Sequence, residues 1–344
     1  MAAISFDPRL NVQVNQKSHG VVVEEIEGLI RVYKNGHVER PPIIPIIPCT
    51  ASGGVTVKDA IVDKITGSWA RIYVPNYSNK MSLLVYFHGG GFCIGSAAWS
   101  CYHEFLSGLA LKAGCIILSV NYRLAPEHRL PAAYDDGVKT LMWVKQQALN
   151  GPSEHIWWLS HCDLSSLMLA GDSAGANIAY NVSIRLGSQS HGSTSAGSGI
   201  KPLVLKGLIL IQPFFGGESR TATEMHATAQ QVNSTLTLSA SDAYWRLSLP
   251  FGSNRDHPWC NPLVNGSTKL RELKLPPTLV CVSEMDILKD RNLGFCNSLA
   301  SAGESVEVEI YKGVGHAFQV LHNSPFSQIR TQEMISHINT FINK

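Results

Sequence analysis

Short apolar runs alternate with helix-like segments from about residue 83 to the end of the chain. Apolar runs that stop at turn residues are typical of buried strands, and they predict strands at 83–87, 115–120, 166–170, 203–211, 278–283 and 306–311. Between them, apolar residues recur at helical spacing and predict helices at about 133–149, 174–186, 291–301 and 327–342. This alternation predicts an α/β fold with a mainly parallel central sheet flanked on both faces by helices.

The segments that precede or interrupt this alternation do not follow the strand-helix pattern. Residues 55–65 and 70–74 alternate and predict a hairpin. The first fifty residues lack regular patterning, although 21–33 is compatible with a short helix or strand. We therefore predict one domain over 1–344, with an N-terminal arm at 1–50 and a helical cap insertion at 217–262. The Ser- and Gly-rich stretch 188–199 is typical of a flexible surface loop.

Composition narrows the function classes. The chain has 344 residues, of which 44% are hydrophobic and 16% charged, as expected of a folded globular protein. A net charge of +2 without a block of like charges argues against a nucleic-acid partner, and no apolar stretch approaches a membrane span. The first residues lack the pattern of a secretory signal, which predicts a cytoplasmic protein. None of the eight cysteines forms a C-x-x-C pair, so we expect reduced core cysteines and no metal site.

The pentapeptide Gly171-Asp172-Ser173-Ala174-Gly175 lies between a predicted strand and a predicted helix. It matches G-x-S-x-G, in which a tight strand-to-helix turn exposes a serine hydroxyl at a helix N-terminus. The helix dipole there favours developing negative charge. An ordinary turn with a capping serine is the alternative, but the motifs below favour catalysis. We predict that Ser173 is the nucleophile of a serine hydrolase.

A glycine cluster follows the strand at 83–87 and reads His88-Gly89-Gly90-Gly91-Phe92. Glycines let backbone N–H groups approach a substrate, and a tetrahedral intermediate needs such donors for its oxyanion. A phosphate-binding loop would continue with Lys-Ser or Lys-Thr, which is absent. We predict that Gly89, Gly90 and Gly91 line the oxyanion hole together with Ala174, and we favour Gly90 and Gly91 as the loop donors. His88 is expected to hold the loop by hydrogen bonds.

The serine hydroxyl needs a base and an orienting acid, which follow it in chain order in this fold. His316 lies in a glycine-rich loop just after the strand at 306–311, where a base is required. Asp286 lies just past the strand at 278–283, and its role would be to fix the imidazole tautomer. Glu284 and Asp290 are the rival acids. We predict the triad Ser173, His316 and Asp286.

Together these motifs resemble the hormone-sensitive-lipase-like branch of the α/β hydrolases. The segment Tyr122-Arg123-Leu124-Ala125-Pro126-Glu127 matches a signature of that branch, and Asp286-Ile287-Leu288 and Gly315-His316-Ala317-Phe318 resemble its acid and histidine motifs. The segment from Ile26 to Arg40 is similar to the N-terminal part of plant carboxylesterases. The resemblance implies an α/β-hydrolase fold, in which the arm and part of 217–262 cover the pocket and shape substrate choice.

The same subgroup includes the gibberellin receptor, hydroxyisoflavanone dehydratase, and esterases and cyclases of alkaloid pathways. The receptor lacks the catalytic histidine and the dehydratases commonly carry threonine as nucleophile, whereas this chain has His316 and Ser173. We therefore expect a cofactor-free hydrolase of small apolar esters, such as a plant specialised metabolite whose methyl ester decarboxylates after hydrolysis. A lyase or cyclase using the same site, or a small-molecule receptor, remains open, and the sequence does not predict an oligomeric state.

Overall fold

The computed structural model describes residues 20–50, 53–150, 157–188, 198–230, 235–266, 270 and 272–344. Two compact units are distinguished, Met1–Pro41 and Pro42–Lys344. The boundary falls before the predicted arm boundary at residue 50, because backbone bonds join Pro45 to Ser100 and Ile47 to Ala98 within the second unit. Most of the predicted loop at 188–199 lies outside the described residues.

The described part of the first unit is a three-stranded antiparallel sheet and not an irregular arm. Its strands, in spatial order, are β1 (Val22–Ile26), β2 (Ile30–Tyr33) and β3 (Val38–Glu39). Gly28, at φ +71°, occupies the turn between the first two strands, where a left-handed backbone favours glycine. The β-branched residues that left 21–33 ambiguous in sequence are thus paired as a hairpin.

The second unit is built on an eight-stranded sheet with the order β11-β10-β9-β8-β6-β7-β5-β4. Strands β4 and β5 form an antiparallel hairpin, and β6 to β11 run parallel, as predicted. The strands are β4 (Val55–Asp63), β5 (Ser68–Pro75), β6 (Met81–Phe87), β7 (Ile116–Asn121), β8 (Cys162–Asp172), β9 (Leu205–Ile211), β10 (Thr278–Ser283) and β11 (Val306–Tyr311). Because parallel strands end on the same edge, the segments that follow them converge there.

Helices flank this sheet. They are α1 (Ser100–Ala113), α2 (Ala132–Asn150), α3 (Ala174–Ser188), α4 (Ala222–Gln230), α5 (Leu238–Ser248), α6 (Lys289–Ser301), α7 (Phe318–Leu321) and α8 (Pro325–Ile342). Helices α1 and α8 share one hydrophobic cluster with the sheet, while α3 packs on β8 and against α2. Helices α4 and α5 lie in the predicted cap segment, between β9 and β10. No helix of the described residues is both long and apolar enough to cross a membrane.

Helix α1 was absent from the predicted elements. Its buried face is formed by Tyr102, Phe105, Leu106 and Leu109, which recur at helical spacing. Gly114 ends the helix at φ +59°, a left-handed conformation that is common at helix C-termini.

All eight cysteines are free. Six are buried, as predicted for core thiols, whereas Cys49 is exposed.

Candidate active site

Ser173 occupies the turn between β8 and α3 in a left-handed backbone conformation, with φ +52°. A non-glycine residue at positive φ is strained, and the surrounding backbone holds it there: its N–H donates to Ile211 O and its carbonyl accepts from Phe214 N. A Cβ added at Gly175 would lie 1.9 Å from Phe87 O, so only glycine fits that position. The two motif glycines therefore permit the close approach of β6, β8 and α3 that presents Ser173.

The three residues predicted as a triad form one continuous hydrogen-bonded chain. His316 Nε2 lies 2.9 Å from Ser173 Oγ, and His316 Nδ1 lies 2.7 Å from Asp286 Oδ2. The other carboxylate oxygen of Asp286 accepts from Leu288 N at 3.0 Å, which fixes the orientation of the acid. All three side chains are buried. The ends of β8, β10 and β11 thus bring together residues that are far apart in sequence.

The rival acids are engaged elsewhere. Glu284 accepts from Gly313 N at 2.9 Å and is exposed, so it supports the turn before His316. Asp290 lies in the first turn of α6 and accepts from Thr223 N at 2.8 Å, which ties α6 to the start of α4. Neither carboxylate contacts His316 in the structure, and Asp286 alone of the three bonds to the imidazole.

Two carboxylates determine the proton affinity of His316. Burial by itself would lower the pKa of His316, but the charge and hydrogen bond of Asp286 and the charge of Asp172 outweigh it. The pKa of His316 is therefore raised above its ordinary value. Such an imidazole is a stronger base toward the Ser173 hydroxyl than an isolated one.

The glycine loop after β6 is held through its carbonyl groups. Tyr122 Oη donates to His88 O at 2.8 Å, and the His88 ring stacks on Tyr122 and bonds through Nδ1 to Gly89 O. The Gly90 carbonyl accepts from two N–H groups, those of Cys93 and Ile94. His88 therefore holds the loop, as predicted, and burial lowers its pKa to about 4.

The N–H groups of the loop divide into one that is engaged and two that are open. Gly89 N donates to Tyr102 Oη at 2.7 Å, which differs from the prediction that all three glycines line an oxyanion hole. Within the described residues, the N–H groups of Gly90, Gly91 and Ala174 have no hydrogen-bond acceptor. Gly90 and Gly91 adopt φ +112° and +58°. These left-handed conformations favour glycine.

The cap segment reaches the glycine loop through α5. A Cβ added at Gly91 would lie 2.3 Å from the ring of Tyr244, so the ring packs directly on this glycine. Next to it, the rings of Trp245 and Phe214 stack at 4.6 Å, and Phe92 of the loop contacts both. Aromatic side chains therefore pack against the glycine loop.

Gln212, which the sequence analysis missed, joins the acid and base loops. Its Oε1 accepts from Ala317 N at 2.6 Å, and its Nε2 donates to Ser283 Oγ at 2.6 Å. Gln212 is fully buried and has φ +47°. It follows β9 in the dipeptide Gln212-Pro213, and no spacing rule marks such a residue as part of a site.

Asp172 and two tyrosines form a second buried group beside the nucleophile that the sequence analysis did not identify. Asp172 accepts from Tyr86 Oη at 2.8 Å and from Tyr102 Oη at 3.0 Å. Burial raises the pKa of Asp172 to about 6, although both hydroxyls oppose the shift. No cluster of side chains suited to a metal ion occurs among the described residues.

The family model that matches the chain is described as the alpha/beta hydrolase fold and covers residues 84–320. That span contains Ser173, Asp286 and His316 together with the glycine loop. It therefore covers the whole of the geometry described above.

Relatives by sequence include Probable carboxylesterase 6 of Arabidopsis thaliana, which is 46% identical over 95% of this chain and 94% of its own length. Tuliposide A-converting enzyme 1 of Tulipa gesneriana, named as chloroplastic, is 34% identical over 93% of this chain and 78% of its own length.

Among solved structures, an esterase from Pyrobaculum calidifontis superimposes with a TM-score of 0.66 at 27% identity, covering 87% of this chain and 85% of that one. The thermophilic carboxylesterase EstE1, from a metagenomic library, gives 0.67 at 24% identity over 87% of this chain and 90% of its own, a likeness of fold. The chain belongs to the α/β-hydrolase fold family, within which it is related to plant carboxylesterases, and it is a serine ester hydrolase.

Proposed function

We propose that the chain hydrolyses small, fairly apolar carboxylic esters through an acyl-enzyme on Ser173. The observation that carries this proposal is the chain of hydrogen bonds from Asp286 through His316 to Ser173. A nucleophile, a base within hydrogen-bond reach and a third group that orients the base form the minimal machinery of acyl transfer. Open N–H groups close to the nucleophile in the fold add the electrophilic component.

In the first half-reaction Ser173 Oγ attacks the ester carbonyl carbon while its proton passes to His316 Nε2. The negative charge that develops on the carbonyl oxygen accepts hydrogen bonds from Gly90 N, Gly91 N and Ala174 N, which we assign as the oxyanion donors. Collapse of the tetrahedral intermediate breaks the bond to the alcohol oxygen, and His316 gives its proton to that oxygen. The alcohol leaves and the acyl group remains on Ser173.

The second half-reaction regenerates the enzyme. His316 takes a proton from water, whose oxygen attacks the acyl carbon, and the same donors stabilise the second oxyanion. The bond to Ser173 Oγ then breaks, His316 returns the proton to that oxygen, and the carboxylic acid leaves. Asp286 accepts the hydrogen bond of Nδ1–H throughout, which fixes the tautomer of His316 and stabilises the imidazolium.

The surroundings of the glycine loop and the names of the relatives support a proposal for the substrate class. Aromatic rings of the cap and the loop pack against the glycine loop, which favours an apolar acyl or alcohol group. Several relatives are named for the conversion of one particular compound, tuliposide A. We propose a plant specialised metabolite as the natural ester, with a methyl ester whose free acid decarboxylates as one variant.

The decisive variant is Ser173→Ala. We expect turnover of p-nitrophenyl acetate to fall by about 10³-fold or more, because loss of a triad member leaves only the oxyanion donors and binding. Thermal unfolding of the variant should match wild type, since the change removes one hydroxyl. Normal turnover in a folded Ser173→Ala protein would overturn the assignment.

Product analysis with an ester and alkaloid panel separates hydrolysis from lyase or cyclase chemistry. A released acid and alcohol support the proposal, and a product formed without ester cleavage would favour the lyase. Failure of a fluorophosphonate probe to label Ser173 would favour a receptor. The cytoplasmic location stays a prediction, since some relatives are named as plastid proteins; imaging of a fluorescent fusion decides it.

A further inference from the structure

Tyr102 contacts both the oxyanion loop and the buried carboxylate next to the nucleophile. Its hydroxyl oxygen accepts from Gly89 N at 2.7 Å, and the same hydroxyl donates to Asp172 Oδ2, with 3.0 Å between the two oxygens. A hydroxyl has one hydrogen. Because the carboxylate takes that hydrogen, the oxygen lone pairs are directed to Gly89. Asp172 thus fixes the direction in which Tyr102 accepts.

Tyr102 and Asp172 pack so closely against Gly89 that a side chain at this position of the loop would not fit. A Cβ added at Gly89 would lie 2.6 Å from Asp172 Oδ2 and 3.1 Å from Tyr102 Oη. Tyr102 is 3% exposed and Asp172 is 1% exposed, so water does not compete for these bonds. Without competing water, the positions of the Gly89 N–H, the Tyr102 hydroxyl and the Asp172 carboxylate depend on one another.

The peptide between His88 and Gly89 is the anchor of the loop. Its carbonyl accepts from Tyr122 and its N–H donates to Tyr102, so both polar groups are bound. In the next two peptides only the carbonyls of Gly89 and Gly90 are bound, and the N–H groups are open. The direction of these open N–H groups depends on the orientation of the anchored peptide that precedes them.

We infer that Tyr102, oriented by Asp172, is a positioning residue that aims the N–H groups of Gly90 and Gly91 at the oxyanion. This inference extends the proposed function, on which it rests. Tyr102 lies on α1, and its hydroxyl bonds to Gly89 N and Asp172 and not to a triad residue or an open N–H group. Its effect on the reaction passes through Gly89. Loss of Tyr102 should therefore weaken stabilisation of the transition state and leave substrate binding unchanged.

Three Tyr→Phe variants of the full chain isolate this effect. Tyr102→Phe removes the bond to Gly89 and one bond to Asp172. Tyr86→Phe removes the other bond to Asp172 and leaves the bond between Tyr102 and Gly89 intact. Tyr311→Phe is the control for loss of a buried hydroxyl, since Tyr311 Oη bonds to His337 and Cys281, away from the site.

For each variant we would measure kcat and KM with p-nitrophenyl acetate and the inhibition constant of a trifluoromethyl ketone, whose adduct with serine carries an oxyanion. We expect Tyr102→Phe to lower kcat by about 10- to 100-fold, with KM nearly unchanged and the inhibition constant raised in parallel. Tyr86→Phe should lose clearly less on both measures. Tyr311→Phe should retain kcat while its unfolding temperature falls.

Two outcomes would overturn the inference: a folded Tyr102→Phe protein with wild-type kcat and inhibition, or equal losses in all three variants. If the wild-type chain does not cleave the ester, the proposed function fails separately. In that case the rate at which a fluorophosphonate labels Ser173 replaces kcat, because phosphonylation also develops charge on an oxygen that the same donors bind. A slower rate in Tyr102→Phe alone supports the inference, and equal rates refute it.

Discussion

The base strength of His316 depends on its burial and on two buried carboxylates. Asp286 and Asp172 raise the pKa of His316, while burial lowers it. The pKa of His322 is lowered by burial and by the charge of His316. General-base catalysis needs neutral His316, so activity should fall as the pH drops through the raised pKa of this residue.

Replacement of Asp172 by Asn tests this dependence. The variant removes one negative charge near the imidazole, so the pKa of His316 should fall and the acidic limb of kcat/KM should move to lower pH. Asp163→Asn, at the opposite end of β8, is the matched control and should leave the limb in place. The measurement is kcat/KM of p-nitrophenyl acetate as a function of pH. A limb that stays fixed or moves to higher pH in Asp172→Asn would contradict the electrostatic account.

His316 and Asp172 also make the free energy of unfolding depend on pH. The folded-state pKa is raised for both His316 and Asp172, so the folded protein holds their protons more tightly than the unfolded chain. Their contribution to the free energy of unfolding is therefore present in full below their unfolded pKa values. For Asp172 it is lost as the pH rises from about 4 through about 6, and for His316 at higher pH.

The ends of the strands determine which loops can meet at the site. Gln212 follows β9, which lies between β8 and β10 in the sheet, so its side chain reaches both the acid loop and the histidine loop. Gln212 and Ala317 both have positive φ, a conformation that costs about 1–3 kcal/mol for a non-glycine residue. The hydrogen bonds of Gln212 oppose that cost and hold the loop that carries His316.

Gln212→Leu should therefore reduce both activity and stability. The change leaves Ala317 N and Ser283 Oγ without their partner, which we expect to lower the free energy of unfolding by about 2–3 kcal/mol. Displacement of His316 should lower kcat by about tenfold or more. Thr140→Val, which removes a fully buried hydroxyl that donates to Asp136 O on α2, is the control and should keep kcat. Urea unfolding and steady-state kinetics measure the two effects, and a wild-type kcat in Gln212→Leu would refute this role.

The sequence predicted those parts of the site whose signals are local. The serine turn, the glycine loop and the two loops after β10 and β11 each consist of consecutive residues next to a strand, and strand, turn and motif reinforce one another. The bonds that the sequence analysis missed join distant positions: Gln212 to Ala317 spans 105 residues, and Tyr86 to Asp172 spans 86. A tyrosine or glutamine in such a pair looks like any other core residue.

Helix α1 and the strands of the first unit were not predicted from the sequence, for two different reasons. Helix α1 carries a helical apolar stripe and a terminal glycine, so its signal was present in the sequence. The strands of the first unit are short and only partly buried, and their pairing depends on turns at glycines more than on an apolar period. Hairpins of this kind are weakly specified by alternation alone.

Every proposed catalytic group of the molecule lies in the second unit. The nucleophile, acid, base and glycine loop all lie at the carboxyl ends of β6, β8, β10 and β11, on one edge of one sheet. In a parallel sheet this edge collects loops from several strands and is the usual place for a site. The described residues that precede Pro42, 20–41, belong to a separate compact unit and supply none of these groups.

A chain that begins at Pro42 should therefore keep its fold and its reactive serine. The large hydrophobic cluster of the sheet with α1 and α8 lies wholly within residues 42–344, and so do the hydrogen bonds of the triad. We expect the truncated protein to unfold cooperatively and to label with a fluorophosphonate, whereas the same protein carrying Ser173→Ala should not label.

The truncation also tests whether the N-terminal arm shapes substrate choice, as the resemblance to plant carboxylesterases implies. If residues 1–41 shape substrate choice, their removal should change KM and the preference between short and bulky p-nitrophenyl esters more than it changes kcat for the acetate, because the triad is left intact. An unfolded or unlabelled truncated protein would show that the first unit is needed for the fold. Unchanged selectivity in a folded, labelled protein would instead remove residues 1–41 from the determinants of substrate choice and leave 42–50 and the cap segment 217–262 as the candidates.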